Sequence, residues 1–132
     1  MQYIDLISNI YRFVDDNTDI CARFLGVESK RIQKNVVISL GWGPERMPGL
    51  GNPELIASSA LYGSLNVWNI NNGDAEITYI QTGCGAAILM DALLSLGVSK
   101  CENIIFVSSV GAVDANISIG DVVIPEYSIT GD

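Results

Sequence analysis

The stretch EITYIQTGCGAAILMDALLSLG, residues 76–97, decides the fold class of this chain. It begins with a run rich in β-branched and aromatic residues, passes through a turn with two glycines, and ends in an apolar segment. The first run predicts a strand over 76–81, and the last segment predicts a helix over 86–96. A further apolar run over 104–108 predicts a second buried strand. The unit from 76 to 125 is therefore typical of a parallel α/β fold that holds a ligand at its strand ends.

The remainder of the chain also alternates between helix and strand patterns. Apolar residues three or four apart predict helices, and short continuous apolar runs predict strands. The predicted helices cover 2–15, 19–25 and 52–63, and the other predicted strands cover 36–40, 65–70 and 121–125. The pair Asn72-Gly73 predicts a hairpin turn before the strand at 76. A loop rich in glycine and proline follows the strand at 36–40.

The composition indicates one domain with a sizeable core. The chain has 132 residues, of which 48% are apolar. Its 15 acidic and 7 basic residues give a net charge of −8. Because nucleic acids and anionic membranes bind basic surfaces, neither is expected as a partner. A small anion remains compatible with this charge, since one or two arginines and a few backbone N–H groups suffice to hold it.

The cysteines and the lack of histidine narrow the chemistry further. Cys21, Cys84 and Cys101 match no metal-binding spacing, and the chain contains no histidine. We therefore expect neither a metal site nor a histidine-dependent triad. Unpaired thiols are typical of a reducing compartment. The sequence has no signal-peptide pattern and no apolar run long enough to cross a bilayer, so it predicts a cytoplasmic protein.

The turn over 82–85 is the first candidate binding site. Its glycines let a ligand approach the backbone, and the following helix N-terminus offers free N–H groups. The run 83–88 also resembles the dinucleotide pattern G-x-G-x-x-A. That pattern needs an acid at the end of the next strand, but Ser108 and Ser109 stand there, so NAD is disfavoured. A small-ligand contact and a tight packing turn both stay open.

Two further candidates also follow predicted strands. Arg46 lies in the loop after the strand at 36–40, and Ser109 follows the strand at 104–108. Ligands of open parallel sheets bind at the carboxyl ends of strands, so both residues are placed to hold an anion. An exposed arginine on a loop and a serine that completes a turn are equally compatible with these positions.

The remaining chemically active residues favour structural roles. Cys84 has no base to activate it, so a small buried thiol is the preferred interpretation over a nucleophile. Asp114 and Asp121 are candidate catalytic carboxylates. Asp121 is nevertheless better placed to fix the turn before its strand.

Taken together, residues 36–132 resemble the nucleoside phosphorylases of the purine and uridine type and the related nucleosidases. The segment 43–46, Gly-Pro-Glu-Arg, resembles the Gly-Asp-Pro-x-Arg loop of that family. The segment 79–85 resembles the strand and T-G-x-G turn that meets the ribose. The segment 104–113 resembles the phosphate strand, and 119–124 resembles the family signature x-G-D-V-V-I.

This resemblance implies a three-layer αβα sandwich with a mixed, largely parallel central sheet. Residues 36–132 would form the N-terminal half of that domain, after a helical extension over 1–35. The implied activity is cleavage of the N-glycosidic bond of a nucleoside, with inorganic phosphate as co-substrate and no further cofactor, in a homo-oligomer. The phosphate-binding residues would be Gly43, Arg46 and Ser109, and the ribose-binding residues would be Thr82 and Cys84.

The sequence also departs from the family pattern. Phe106 stands where these phosphorylases have an arginine on the phosphate strand, and Trp42 stands at the usual loop glycine. Family members are longer, and their base-recognition residues and general acid lie in a second half. We therefore expect a fragment that ends at Asp132 with an incomplete sheet and is inactive alone. Phosphorolysis, hydrolysis with water positioned by Glu45, and non-catalytic nucleoside binding are the three functions that follow.

Overall fold

The computed structural model describes residues 2–8, 11–15, 17–59 and 65–127. Helices and strands alternate along the chain. The helices are α1 (Tyr3–Ile7), α2 (Ile20–Leu25) and α3 (Ala86–Leu96). The strands are β1 (Asn35–Leu40), β2 (Asn52–Ser59), β3 (Leu65–Asn71), β4 (Glu76–Thr82) and β5 (Asn103–Val107). Two 3-10 turns, Ser29–Arg31 and Pro44–Arg46, flank β1.

The five strands form one mixed sheet in the order β2-β3-β4-β1-β5. β1 pairs in parallel with β4 on one side and with β5 on the other. β2, β3 and β4 are joined as an antiparallel meander. The mixed sheet with its helices confirms the predicted α/β class. Because β4, β1 and β5 run in the same direction, their carboxyl ends lie side by side at one edge.

The core lies between one face of this sheet and the helices. Alternate residues of the central strands point into it, as the two-residue period of a strand requires. α2 contacts α3, and α1 packs on α3 through a hydrogen bond of 2.7 Å from the Tyr3 hydroxyl to the carbonyl of Leu94. The buried apolar residues of this core are Cys21, Leu25, Val27, Ile32, Val36, Ile38, Leu65, Val67, Ile80, Ala92 and Leu96.

The N-terminal helices are shorter than predicted. A continuous helix over 2–15 is wrong, because α1 ends at Ile7 and residues 11–15 form turns. Only Ile7 of the predicted apolar stripe is buried in α1, whereas Ile4 is 59% exposed. A helix with so little apolar contact lacks the packing that stabilises most helices in proteins. Residues 9, 10 and 16 lie outside the described residues.

α2 agrees with its prediction, and its two ends explain why. The Asp19 carboxylate accepts a hydrogen bond of 3.1 Å from the backbone N–H of Ala22, which caps the first turn. Gly26 ends the helix in the left-handed region with a φ of 70°. The segments over 36–40, 65–70, 76–81 and 86–96 likewise take the predicted structure, each within two residues of the predicted bounds.

The helix predicted over 52–63 is wrong. Residues 52–59 form β2, and 60–64 lie outside the described residues. The sequence Asn52-Pro53-Glu54 has the features of a helix start, but β3 offers this segment a complete antiparallel partner. Pro53 is tolerated because β2 is the edge strand of the sheet. Pairing in the tertiary structure therefore overrides the local signal.

The two C-terminal strand predictions need correction. The run at 104–108 does form a strand, β5, but it is an exposed edge strand and not a buried one. Ile105 is 62% exposed on it. Residues 121–125 form no strand, and they are exposed. An apolar run predicts burial only where other elements cover it, and the described helices do not cover this side of the sheet.

Candidate functional site

The candidate site is the edge of the sheet at which the three parallel strands end. β4 ends at Thr82, β1 at Leu40 and β5 at Val107. The chain segments that follow carry the residues predicted from sequence, with Arg46 after β1, Cys84 after β4 and Ser109 after β5. Since β1 lies between β4 and β5, the Arg46 segment is the middle one. The topology thus brings the predicted phosphate and ribose segments to one edge.

The segment after β1 is attached to β4. The backbone N–H of Gly41 donates a hydrogen bond of 2.9 Å to the carbonyl of Thr82, which continues the parallel ladder by one residue. The Tyr79 hydroxyl donates a hydrogen bond of 3.0 Å to the carbonyl of Trp42. These contacts fix the path of the chain up to the 3-10 turn that carries Arg46.

The Pro44–Arg46 turn presents one cation and one carboxylate. Gly43 and Pro44 are buried, whereas Glu45 and Arg46 are exposed. The Glu45 carboxylate occupies the space that a side chain at position 43 would need, so it lies directly over the Gly43 backbone. Arg46 makes no ion pair within the described part of the chain. Its guanidinium is therefore available for an anion, although a carboxylate lies close to it in the chain.

The turn between β4 and α3 provides open backbone donors. Gly85 precedes the helix with a φ of 123°, a conformation that L side chains rarely adopt. No side chain caps the N-terminus of α3, so its first N–H groups are free for a ligand. Cys84 is exposed, and the prediction of a buried thiol is wrong. The sequence reasoning took its small size as a sign of packing, but the tight turn holds it outside the core.

Thr82 differs from its neighbours in the turn because its side chain is buried. Its hydroxyl makes no hydrogen bond within the described residues, and the same is true of the buried Ser39 hydroxyl on β1. Buried hydroxyls usually have a partner. Two such groups at the carboxyl ends of adjacent strands are therefore compatible with a polar ligand or water at this edge.

The segment after β5 is exposed. Ser109 lies on it, with its carbonyl 3.4 Å from the Ser108 hydroxyl. No hydrogen bond joins Ser109 to Arg46 or Cys84 among the described residues. Asp121 accepts a hydrogen bond of 2.7 Å from the backbone N–H of Ser118, which confirms its predicted role in a turn. Asp114 similarly accepts one of 2.8 Å from the N–H of Asn116.

Burial shifts the acidity of two groups that a nucleophilic or acid-base mechanism would use. Burial raises the pKa of the Cys21 thiol to about 12, so this thiol stays protonated at neutral pH. Burial also raises the pKa of Tyr79 above its usual range; the Glu45 carboxylate adds to this shift, and the neighbouring Ser39 side chain opposes it. Neither group is an activated nucleophile. The chemistry of the site therefore depends on binding and orientation.

Two further searches of the described residues gave no additional site. No group of three or more histidine, cysteine, aspartate or glutamate side chains is arranged to hold a metal ion in the described ranges. Within the same ranges, no helix is both long and apolar enough to span a bilayer.

The fold and the three converging segments define an α/β protein with a ligand site at its strand ends, and comparison with known proteins names the family. Residues 35–132 match the family model of the phosphorylase superfamily. Because this match covers most of the chain, the chain belongs to the phosphorylase superfamily. The resemblance noted in the sequence is thereby confirmed.

Two similar solved structures are of uridine phosphorylase from Vibrio fischeri ES114. The first has a TM-score of 0.58 and 25% identity, over 69% of this chain and 38% of that chain. The second is complexed with 6-hydroxy-1-naphthoic acid and has a TM-score of 0.57 and 25% identity, over 69% of this chain and 37% of that chain. No curated protein matches the chain. This chain thus spans well under half the length of the structures it resembles.

Proposed function

We propose that this chain provides the phosphate-facing and ribose-facing part of a nucleoside phosphorylase. The observation that carries the proposal is the convergence of the segments after β4, β1 and β5 at one edge of a sheet of the phosphorylase superfamily. The middle segment offers the unpaired Arg46 and the neighbouring turn offers the open N-terminus of α3. Both groups attract an anion.

In the proposed reaction, a phosphate oxygen attacks C1′ of the ribose while the bond from C1′ to the base breaks. Positive charge develops on the sugar, so an anion held beneath it stabilises the transition state. Arg46 would hold the phosphate by charge, and Gly43 and Ser109 would hold it through backbone N–H groups. Cys84 would line the ribose. The unpartnered Thr82 hydroxyl supports a polar contact at the same place.

Hydrolysis is the second candidate, and one observation favours it. The Glu45 carboxylate covers the backbone of Gly43, where phosphate would otherwise approach. A carboxylate repels phosphate but can orient a water molecule as the nucleophile. Phe106, at the position of the arginine expected on the phosphate strand, removes a second cation. A nucleosidase needs neither that arginine nor an open Gly43 backbone.

The two reactions are distinguished by their dependence on phosphate. The chain would be incubated with uridine, the substrate in the names of the similar structures, and with other common nucleosides, and base release would be followed by chromatography. Release that requires phosphate supports phosphorolysis. Release without phosphate that is lost in Glu45→Gln supports hydrolysis and overturns the first proposal. Binding of nucleoside by calorimetry without any base release supports a non-catalytic binder.

The role of Arg46 has its own measurement. Arg46→Gln is expected to weaken phosphate binding by about tenfold or more, because a charge-assisted hydrogen bond contributes roughly 1.5–3 kcal/mol. Arg12→Gln removes another exposed arginine, far along the chain from the site, and is the matched control with unchanged phosphate affinity. Equal phosphate affinity in both variants and the unmodified chain would contradict the assignment.

The same proposal covers assembly and location. A homo-oligomer is supported by the exposed apolar strand β5, which offers a free edge to a second copy. A cytoplasmic location is supported by the three free thiols, Cys21, Cys84 and Cys101. Both parts of the proposal are tested independently of the reaction.

A further inference from the structure

A row of polar side chains crosses the sheet and ends at the segment that carries Arg46. The Ser58 hydroxyl on β2 donates a hydrogen bond of 2.6 Å to the Asn66 side-chain oxygen on β3. The Asn66 amide donates one of 3.0 Å to the Gln81 side-chain oxygen on β4. The Gln81 amide in turn donates one of 2.9 Å to the carbonyl of Gly41. The four groups lie on neighbouring strands in direct register.

The last member of the row fixes the direction of every hydrogen bond in it. The carbonyl of Gly41 can only accept, so Gln81 must present its NH₂ group to it. The Gln81 oxygen then faces β3, and Asn66 must present its own NH₂ group. The Asn66 oxygen is left to accept from Ser58. The orientation of the Gln81 amide at the site is therefore controlled from β3, one strand away.

A second contact holds the next residue of the same segment. The Tyr79 hydroxyl donates to the carbonyl of Trp42, so consecutive carbonyls at 41 and 42 are both held by side chains of β4. Tyr79 and Gln81 are two residues apart and therefore lie on the same face of the strand. Gly43 and the turn with Arg46 follow directly after these two held residues.

We propose that Asn66 and Gln81 are positioning residues that hold the Arg46 segment in place for its anion. This inference rests on the proposed function for the identity of the anion, which is phosphate. Neither residue touches the anion in this arrangement. Asn66 acts by orienting the Gln81 amide, and Gln81 acts by fixing the carbonyl of Gly41. The sequence motifs of the site include neither residue in this role.

Replacing Asn66 by aspartate separates orientation from packing. Aspartate has nearly the same shape as asparagine but cannot donate, so in Asn66→Asp the Gln81 amide is expected to turn its NH₂ group toward β3. Its oxygen then faces the carbonyl of Gly41, and the segment is released. Asn66→Ala leaves Gln81 free to keep its bond to Gly41. Orientation therefore predicts that aspartate is the more harmful substitution, whereas loss of packing predicts that alanine is.

Cleavage by trypsin after Arg46 measures release of the segment without any ligand. At pH 8, we expect Asn66→Asp to be cleaved at this bond about fivefold faster than the unmodified chain, the change that loss of one hydrogen bond produces. Asn66→Ala should change the rate less than twofold, or about the error of such a measurement. Gln81→Glu, which removes the donor directly, should match Asn66→Asp and serves if that variant fails to fold.

Asn69→Asp is the matched control. Asn69 lies on the same strand and faces the other side of the sheet, where its oxygen accepts a hydrogen bond of 2.9 Å from the Thr78 hydroxyl. The substitution adds the same charge but leaves the row intact, so cleavage after Arg46 should be unchanged. Equal cleavage in Asn66→Asp and Asn69→Asp, or faster cleavage in Asn66→Ala than in Asn66→Asp, would overturn the inference.

Calorimetry with inorganic phosphate distinguishes this inference from the proposed function. If the unmodified chain binds phosphate, affinity should fall in Asn66→Asp and Gln81→Glu and stay constant in Asn69→Asp. Unchanged affinity in the first two variants would contradict the positioning role. If the unmodified chain binds no phosphate, the proposed function fails, while the order of the trypsin rates still decides whether the row positions the segment.

Discussion

Tyr79 joins the buried core to the segment that carries Arg46. Its side chain is fully buried on β4 and packs edge-on against Trp68, with ring centroids 5.9 Å apart at 72°. Its hydroxyl holds the carbonyl of Trp42. The apolar ring fixes the residue in the sheet, and the polar end extends that rigidity to the edge of the site. Sequence reasoning treated this tyrosine only as part of a strand.

Tyr79→Phe tests the polar end alone. The ring and its contact with Trp68 remain, while the hydrogen bond to Trp42 is lost, so the free energy of unfolding should fall by roughly 0.5–1.5 kcal/mol. The measurement is urea denaturation followed by circular dichroism. Tyr127→Phe removes a hydroxyl from a side chain that is 80% exposed and should leave stability unchanged. Equal effects of the two substitutions would show that the hydrogen bond to Trp42 contributes nothing.

The thiols should differ in reactivity and in their effect on stability. Cys84 is exposed and Cys21 is buried, so a thiol reagent at pH 8 should modify Cys84 first and reach Cys21 only after unfolding. Mass spectrometry after limited labelling measures the order. Modification of Cys21 in the folded chain before Cys84 would contradict the burial of Cys21.

Cys21 also makes stability depend on pH. Burial raises its pKa from 9.0 in the unfolded chain to about 12 in the folded one. Between these values the unfolded state binds fewer protons, so the free energy of unfolding falls as pH rises above about 9. Urea denaturation at pH 8 to 10 should show a steeper fall for the unmodified chain than for Cys21→Ala. Parallel curves would contradict this linkage, since the tyrosines titrate in both proteins.

Among the elements, the β3–β4 hairpin depends on its turn. Side chains support the turn, since Asn71 accepts a hydrogen bond of 2.8 Å from the N–H of Gly73 and Asn72 accepts one of 2.8 Å from the N–H of Ala75. Gly73 has a φ of 89°, where a side chain is strained. The hairpin sets the register of β3 against β4, and with it the contact between Asn66 and Gln81.

Gly73→Ala should therefore destabilise the protein by about 1–2 kcal/mol, the cost of a left-handed conformation for a residue with a side chain. Gly111→Ala is the matched control, because Gly111 has open space around it and needs no positive φ. Differential scanning calorimetry gives both changes in Tm. A Tm for Gly73→Ala as high as that for Gly111→Ala would mean that the turn tolerates the side chain.

For the whole molecule, the distribution of exposed apolar residues matters most. β5 forms one edge of the sheet, and its three central residues, Ile104, Ile105 and Phe106, are all exposed. The described residues after β5 are exposed as well. A long apolar edge with unpaired backbone groups is a template for pairing with another chain. This half of the molecule thus contrasts with the well-covered half around α2 and α3.

Concentration-dependent self-association is the expected result, and Ile105→Lys should reduce it. The lysine costs little stability, since the native side chain is 62% exposed, but it places a charge on the edge that would pair. Sedimentation velocity over a range of concentrations measures the assembly. Lys100→Ala, which changes an exposed residue outside the strand, is the control. A monomer at every concentration would refute the assembly through β5.

The sequence by itself determined the local structure and the identity of the candidate ligand groups. The two-residue and 3.6-residue apolar periods, with glycines at the turns, were sufficient for β1, β3, β4, α2 and α3. The positions of Arg46, Cys84 and Ser109 directly after strands placed them at the carboxyl ends of a parallel sheet. These properties are encoded within short segments, so no knowledge of long-range contacts was needed.

Only the tertiary structure decided the properties that depend on partners distant in sequence. The helix-like start at Asn52 became an edge strand because β3 paired with it, and the apolar run of β5 remained exposed because no described element covers it. The support of the Arg46 segment by Asn66 and Gln81 was likewise invisible in the sequence. A hydrogen bond between side chains on different strands requires the register of the sheet, which only the folded chain supplies.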